Sequence, residues 1–162
     1  MQTNAQPLAS NMSSPINKTI VQLGYAGLLP FVGLAGLMWL GRADLLPFVA
    51  TGLVGYAAVI VSFLGGIHWG LGFMRAEGGH APADSVSRRF HFVWGIVPSL
   101  VAWLALMLPA VVALPSMGLA LLVCYAVDRR TYPGLGLSHW LRLRLHLTLV
   151  AALSCMLGAA AL

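Results

Sequence analysis

The sequence predicts an all-α integral membrane protein, a bundle of five transmembrane helices. Three observations carry that expectation. Of 162 residues, 59% are hydrophobic and 8% are charged. A soluble domain carries about 25% charged residues, so the polar surface needed to face water is missing. Five apolar stretches, at 20–40, 45–74, 90–108, 109–127 and 141–162, approach or exceed the roughly 20 residues a crossing needs. Threaded as five spans, eight cationic residues fall on one side: Lys18, Arg75, Arg88, Arg89, Arg129, Arg130, Arg142 and Arg144. Only Arg42 falls on the other. That bias is the positive-inside pattern, so the N-terminus is expected in the cytoplasm and the C-terminus in the periplasm.

Residues 1–18 are polar, without apolar periodicity, and are expected to be a disordered tail ahead of a single domain, 19–162. No short apolar run with a small-residue cleavage site precedes the first span, so no cleaved signal peptide is expected. Span one holds Pro30 between Gly27 and Gly33; an interior proline removes one backbone bond and kinks a helix. Span two, 45–74, would reach ~45 Å as helix, longer than the ~30 Å hydrocarbon core. It must tilt or project. Its small residues Gly52, Gly55, Ala58, Ser62, Gly66 and Gly70 recur three or four apart. Of these, Ser62, Gly66 and Gly70 are the expected helix-packing positions, because small side chains let helices approach closely in lipid.

Residues 75–89 are the longest predicted loop. Span three carries Pro98 near its middle, and span four carries Pro115 within its first two turns. A helix starting only at Pro115 would be ~20 Å long, so the start of span four stays open. Span five opens LRLRLHL. Strict alternation suits a strand, but the apolar run that follows makes it a helix whose Arg142 and Arg144 snorkel to the headgroups. Aromatic residues, among them Trp69, Phe73, Phe92, Trp94, Tyr132 and Trp140, gather near the basic face, as an interfacial belt does. Cys124 and Cys155 lie in apolar runs and read as packing residues, not as a disulfide.

Ionisable groups inside spans are the natural candidates for chemistry. His68 lies in SFLGGIHWG, ~10 Å of helix rise from Arg75. His146 lies four residues after Arg142, and His91 opens span three. Facing histidines such as His68 and His146 would ligate a haem b iron, or hold a proton beside a quinone ring. The plainer reading places His68 and Trp69 at the interface and gives His146 a hydrogen bond to Tyr125 or the backbone; under it no cofactor is expected. No motif with metal-ligand spacing is present, and no catalytic residues are predicted. All four acids are expected to flank the spans. Asp128, with Arg129 and Arg130, forms a charge latch, Asp128 pairing with an arginine of span five or of the second loop. The broken helices would suit a small carrier, but the expected midplane offers little beyond Thr51, Ser62 and Ser99.

Five segments together resemble a known family: LGYAGLLPF (23–31), SFLGGIHWG (62–70), PSLVAWLAL (98–106), the Asp128-Arg129-Arg130 step, and LRLRLHLTLV (141–150). They are similar to small bacterial membrane proteins defined by a domain of unknown function, number 3429, which include the mitochondrial transmembrane-protein-69 type of animals. The resemblance spans about 19–160. It implies a five-helix protein of a bacterial or mitochondrial inner membrane, and no activity or site residues.

The expectation is therefore an uncharacterised multi-pass protein of the bacterial inner membrane, a non-enzymatic structural or accessory component. Its partners are the bilayer, anionic headgroups at the basic face, and a second copy or a larger membrane complex. Nucleic acid is not a partner, because the charges sit at membrane boundaries and form no patch.

Overall fold

The computed structural model describes residues 15–77 and 85–162, so most of the predicted tail and the middle of the predicted second loop lie outside the described residues. Among the described residues, six α-helices make five crossings: α1 (Pro15–Ala26) and α2 (Leu29–Leu40), then α3 (Leu46–Glu77), α4 (Ser85–Leu106), α5 (Ala110–Thr131) and α6 (Leu141–Ala160). Each crossing is long and apolar enough to span a membrane: Lys18–Leu40, Ala43–Met74, Arg89–Leu106, Ala110–Thr131 and Ser138–Ala160. Among the described residues, every regular element is a helix or a short 3-10 turn.

The first crossing is two helices because of Pro30. Its ring cannot donate to the carbonyl one turn back and disfavours helical geometry at the residue before it. The break falls at Gly27 and Leu28, and the chain resumes with Pro30 in the first turn of α2, where its missing donor costs nothing. At the break, Tyr56 Oη donates to the Gly27 carbonyl at 2.8 Å, so the interruption is anchored to α3.

The helix boundaries differ from the sequence expectations in instructive places. The first helix begins at Pro15, so residues 15–18 of the predicted tail are helical. The fourth crossing starts at Ala110, with Pro109 as its N-cap, and passes through Pro115 unbroken. Pro115 forfeits a single backbone bond, while extending the helix across it places Ala113 and Leu114, both 0% exposed, in the core. At its other end α5 runs on to Thr131, which brings Asp128 inside the helix where the sequence had suggested a flanking loop.

Helix α3 is the centre of the bundle and touches α2, α4, α5 and α6; α6 also packs on α5 and α2. The core is Phe31, Leu53, Val61, Leu114, Met117 and Leu121, with Cys155 beside them. Both cysteines are free and buried. Many large apolar side chains point outward, Leu29 (72%) and Phe48 (80%) among them, as they do where the surrounding solvent is lipid.

Of the expected packing positions, Gly66 and Gly70 lie on the exposed face with open space beyond them, and Ser62 is half-buried. The close approach is made one residue earlier. A Cβ on Gly65 would stand 2.6 Å from the Gly95 carbonyl oxygen and 3.3 Å from Pro98 Cδ. Here, glycine lets the backbones of α3 and α4 touch.

Candidate functional site

Four helices converge on one buried polar cluster at the end of the bundle where α3 and α5 finish and α4 and α6 begin. His68 of α3 is 1% exposed, His91 of α4 2%, and Asp128 of α5 2%. His68 Nε2 donates to Asp128 Oδ1 at 3.0 Å. His68 Nδ1 lies 3.0 Å from His91 Nδ1, so one ring carries the shared proton and the other presents its lone pair. Arg144 of α6 donates through Nε to Asp128 Oδ2 at 3.0 Å, and its Nη2 meets the same oxygen. Asp128 thus accepts from two helices through its two oxygens.

Burying ions demands this degree of pairing, because an isolated carboxylate or guanidinium in an apolar interior costs several kcal/mol. One carboxylate and one guanidinium cancel. The two rings face each other through one nitrogen–nitrogen hydrogen bond. Tyr132, just past α5, closes it, with its ring 6.4 Å from that of His68. Burial pushes the Tyr132 phenol above its ordinary range, the Asp128 carboxylate pushes it further, and Arg144 opposes both. Tyr132 therefore stays a neutral hydroxyl.

Of the three residues of the expected latch, the structure places only Asp128 in the cluster. Asp128 pairs with Arg144 of span five, the partner the sequence allowed, and also with His68. Arg129 and Arg130 are exposed and lie outside the cluster. The reason is helical phase: they follow Asp128 by 100° and 200°, which turns them away from the core. The same geometry separates the histidines. His146 lies two residues, about 200°, beyond Arg144; with Arg144 inward, His146 is exposed and lines a second cleft, of about 500 Å³, with Tyr25, His139 and Trp140. The structure does not bring His68 and His146 together, whereas it joins His68 to His91. Both ring nitrogens of His68 meet protein partners, Nδ1 facing His91 and Nε2 facing Asp128. Trp69 pins α4: its Nε1 donates to the Phe92 carbonyl at 2.8 Å, and its ring covers Gly95.

Beside the cluster lies a cavity of about 400 Å³ between α1, α3 and α6. Its walls are apolar: Leu23, Leu28, Phe31, Ile60, Phe63, Leu147 and their neighbours. Among the described residues, its polar lining is Arg144, Tyr132, Thr148 and Trp140. Thr148 is 2% exposed, and its Oγ1 has no hydrogen-bond partner among the described residues. Sequence reasoning missed both Tyr132 and Thr148 as site residues. A hydroxyl in an apolar helix was the available signal for Thr148, but nothing in the sequence distinguishes it from Thr51 or Ser154.

Fold and site together define a polytopic helical membrane protein with a buried ionic cluster abutting an apolar cavity. The chain belongs to the family described as a protein of unknown function (DUF3429), whose model matches residues 16–160 and so takes in the whole cluster and cavity. It is similar to transmembrane protein 69 of Xenopus tropicalis, with 38% identity over 144 residues. That alignment covers 85% of this chain and 52% of the frog protein, so the chain spans about half the length of this relative. No solved structure matches.

Proposed function

We propose that this chain is a non-enzymatic component of a bacterial inner membrane that holds a lipid-soluble ligand in the α1–α3–α6 cavity. The observation that carries the reading is the cavity itself. At about 400 Å³ it lies in the range of small-molecule sites, and a few polar groups gather within an otherwise apolar lining. The adjoining cluster acts as the rigid floor: Arg144 belongs to both, and its guanidinium is held by Asp128 rather than free to swing. Lys18, Arg89, Arg129, Arg130 and Arg142 sit at the cluster's end of the crossings and Arg42 at the other. This supports a cytoplasmic N-terminus and a periplasmic C-terminus by the positive-inside pattern. The open glycine face at Gly66 and Gly70 supports packing against a second copy or another membrane subunit.

The test is direct. Protein purified in mild detergent is extracted with organic solvent, and the extract is analysed by mass spectrometry. The expected result is one lipid-soluble species near one per chain, strongly depleted in Ile60→Trp, which fills the cavity while its melting temperature reports folding. A wild-type extract holding only bulk membrane lipid in arbitrary ratio would overturn the reading.

A further inference from the structure

The second cleft, between α1 and the start of α6, differs from the cavity in carrying mostly polar side chains. Ser138 and His139 lie four and three residues before Arg142, and His146 lies four after it. That spacing stacks all four on one face, across the short 3-10 turn Ser138–Trp140 and the opening turns of α6. The other wall is α1, through Val21 and Tyr25. Ser138, His139, Arg142 and His146 are exposed, and Tyr25 is 46% exposed, so a ligand reaches them without any opening of the bundle.

Arg142 and Arg144 stand two residues apart and meet different fates. Arg144 turns inward and is held by Asp128. Arg142, about 200° away round the helix, turns into the cleft. A guanidinium presents a planar fork of N–H donors that matches the oxygens of a phosphate. Beside it stand two imidazoles, which keep an N–H donor in either protonation state, and the hydroxyls of Ser138 and Tyr25. Several donors around one cation complement a phosphate anion.

The cleft also lies at the depth of a lipid head. Ser138 opens the fifth crossing, Ser138–Ala160, and Val21 and Tyr25 lie near the start of the first, Lys18–Leu40. His146 is ~12 Å of helix rise beyond Ser138, and the headgroup layer is about 5–8 Å thick on each face. The cleft therefore runs from the headgroups to the first acyl carbons. Tyr25 and Trp140 suit that depth, and Val21 and Leu143 supply its apolar wall.

We infer that this cleft binds the phosphate of an anionic glycerophospholipid, with Arg142 on the phosphate oxygens, Ser138, His139 and His146 as further donors, and the acyl chains left in the surrounding bilayer. An anionic membrane surface attracts every cation at its edge. The cleft does more, because it gathers several donors around one head. Trp140 and Leu143 line both the cleft and the cavity, but the cleft's ligand does not depend on the cavity holding one.

The experiment titrates the purified full chain, stripped of endogenous lipid in a neutral detergent, with three probes: dioctanoylphosphatidylglycerol, dioctanoylphosphatidylcholine and inorganic phosphate. Binding is read by calorimetry. Phosphatidylglycerol should bind at one per chain and about tenfold more tightly than phosphatidylcholine, whose own ammonium offsets its phosphate. Inorganic phosphate should bind more weakly than phosphatidylglycerol, because it leaves Val21 and Leu143 uncovered. Arg142→Gln should weaken phosphatidylglycerol by about tenfold. Arg130→Gln, which removes an exposed cation outside the cleft, should change it by less than about twofold. Ile60→Trp, which fills the cavity, should leave it unchanged. Equal losses in Arg142→Gln and Arg130→Gln would reduce the effect to diffuse attraction and overturn the site. Phosphatidylcholine binding as tightly as phosphatidylglycerol, or no binding by any probe, would overturn it too. Inorganic phosphate binding as tightly as phosphatidylglycerol would overturn the lipid as the source. Loss of phosphatidylglycerol binding in a folded Ile60→Trp variant would place the lipid in the cavity and overturn the cleft.

Discussion

The seam between α3 and α4 and the seam between α1 and α6 are built from similar residues and end up very different. Along the first, Gly65 faces the Gly95 carbonyl and Trp69 lies over Gly95, so an added Cβ on Gly95 would fall 1.9 Å from the Trp69 ring. The backbones meet. Along the second, Gly24 faces leucines, its nearest neighbour being Leu147 Cδ1 at 3.1 Å from an added Cβ. Leu23, on the same short helix, remains 67% exposed. Glycine opposite glycine closes a seam, and glycine opposite leucine holds the helices a side chain apart. The break at Gly27–Leu28 frees α1 from the direction of α2, and the space left between α1, α3 and α6 is the cavity. The tight seam is also tied across its end by the His68–His91 contact, which continues through Asp128 to α5 and α6.

Removing that tie should have the largest effect. Asp128→Ala leaves Arg144 and His68 facing a buried void without their acceptor, and is expected to cost about 3–5 kcal/mol, because a buried charge loses its partner. Unfolding in a graded denaturing detergent would show it; a loss under about 1 kcal/mol would mean that the cluster is wetter than its burial implies.

Next is the closed seam itself. Gly65→Ala drives a methyl against backbone at 2.6 Å, where no flexible side chain can give way, and should destabilise by about 1–3 kcal/mol. Gly66→Ala, one residue on and facing open space, should stay within about 0.5 kcal/mol. Equal losses in the two variants would show that the seam does not depend on the phase of α3.

The smallest effect on the single chain is expected at the outward face. Gly66→Leu with Gly70→Leu should leave the melting temperature of the monomer within a few degrees, yet change migration in a native gel if copies meet there. Unchanged migration would count against packing through this face.

Much of this was legible in advance. The five crossings follow from apolar length and from where cations stop, both of which are local properties. His68 and Asp128 stood out because ionisable groups are scarce in such a chain, and the pairing of Asp128 with span five was among the partners the sequence permitted. The choice among Arg129, Arg130 and Arg144 was not legible, since adjacency along the chain places residues 100° apart on a helix and says nothing of which face turns inward. The Gly65–Gly66 pair shows the same gap: two identical residues, one against backbone and the other against open space. Thr148 differs from Thr51 only in what surrounds it.

Composition and apolar length by themselves determined that this protein lives in a bilayer and crosses it five times, because lipid excludes unpaired backbone. The rotation of each helix about its axis was decided by the tertiary structure alone. Packing against four neighbours at once selected the orientations that bury His68, His91, Asp128 and Arg144 together, since no single helix could meet the cost of burying one of them unpaired.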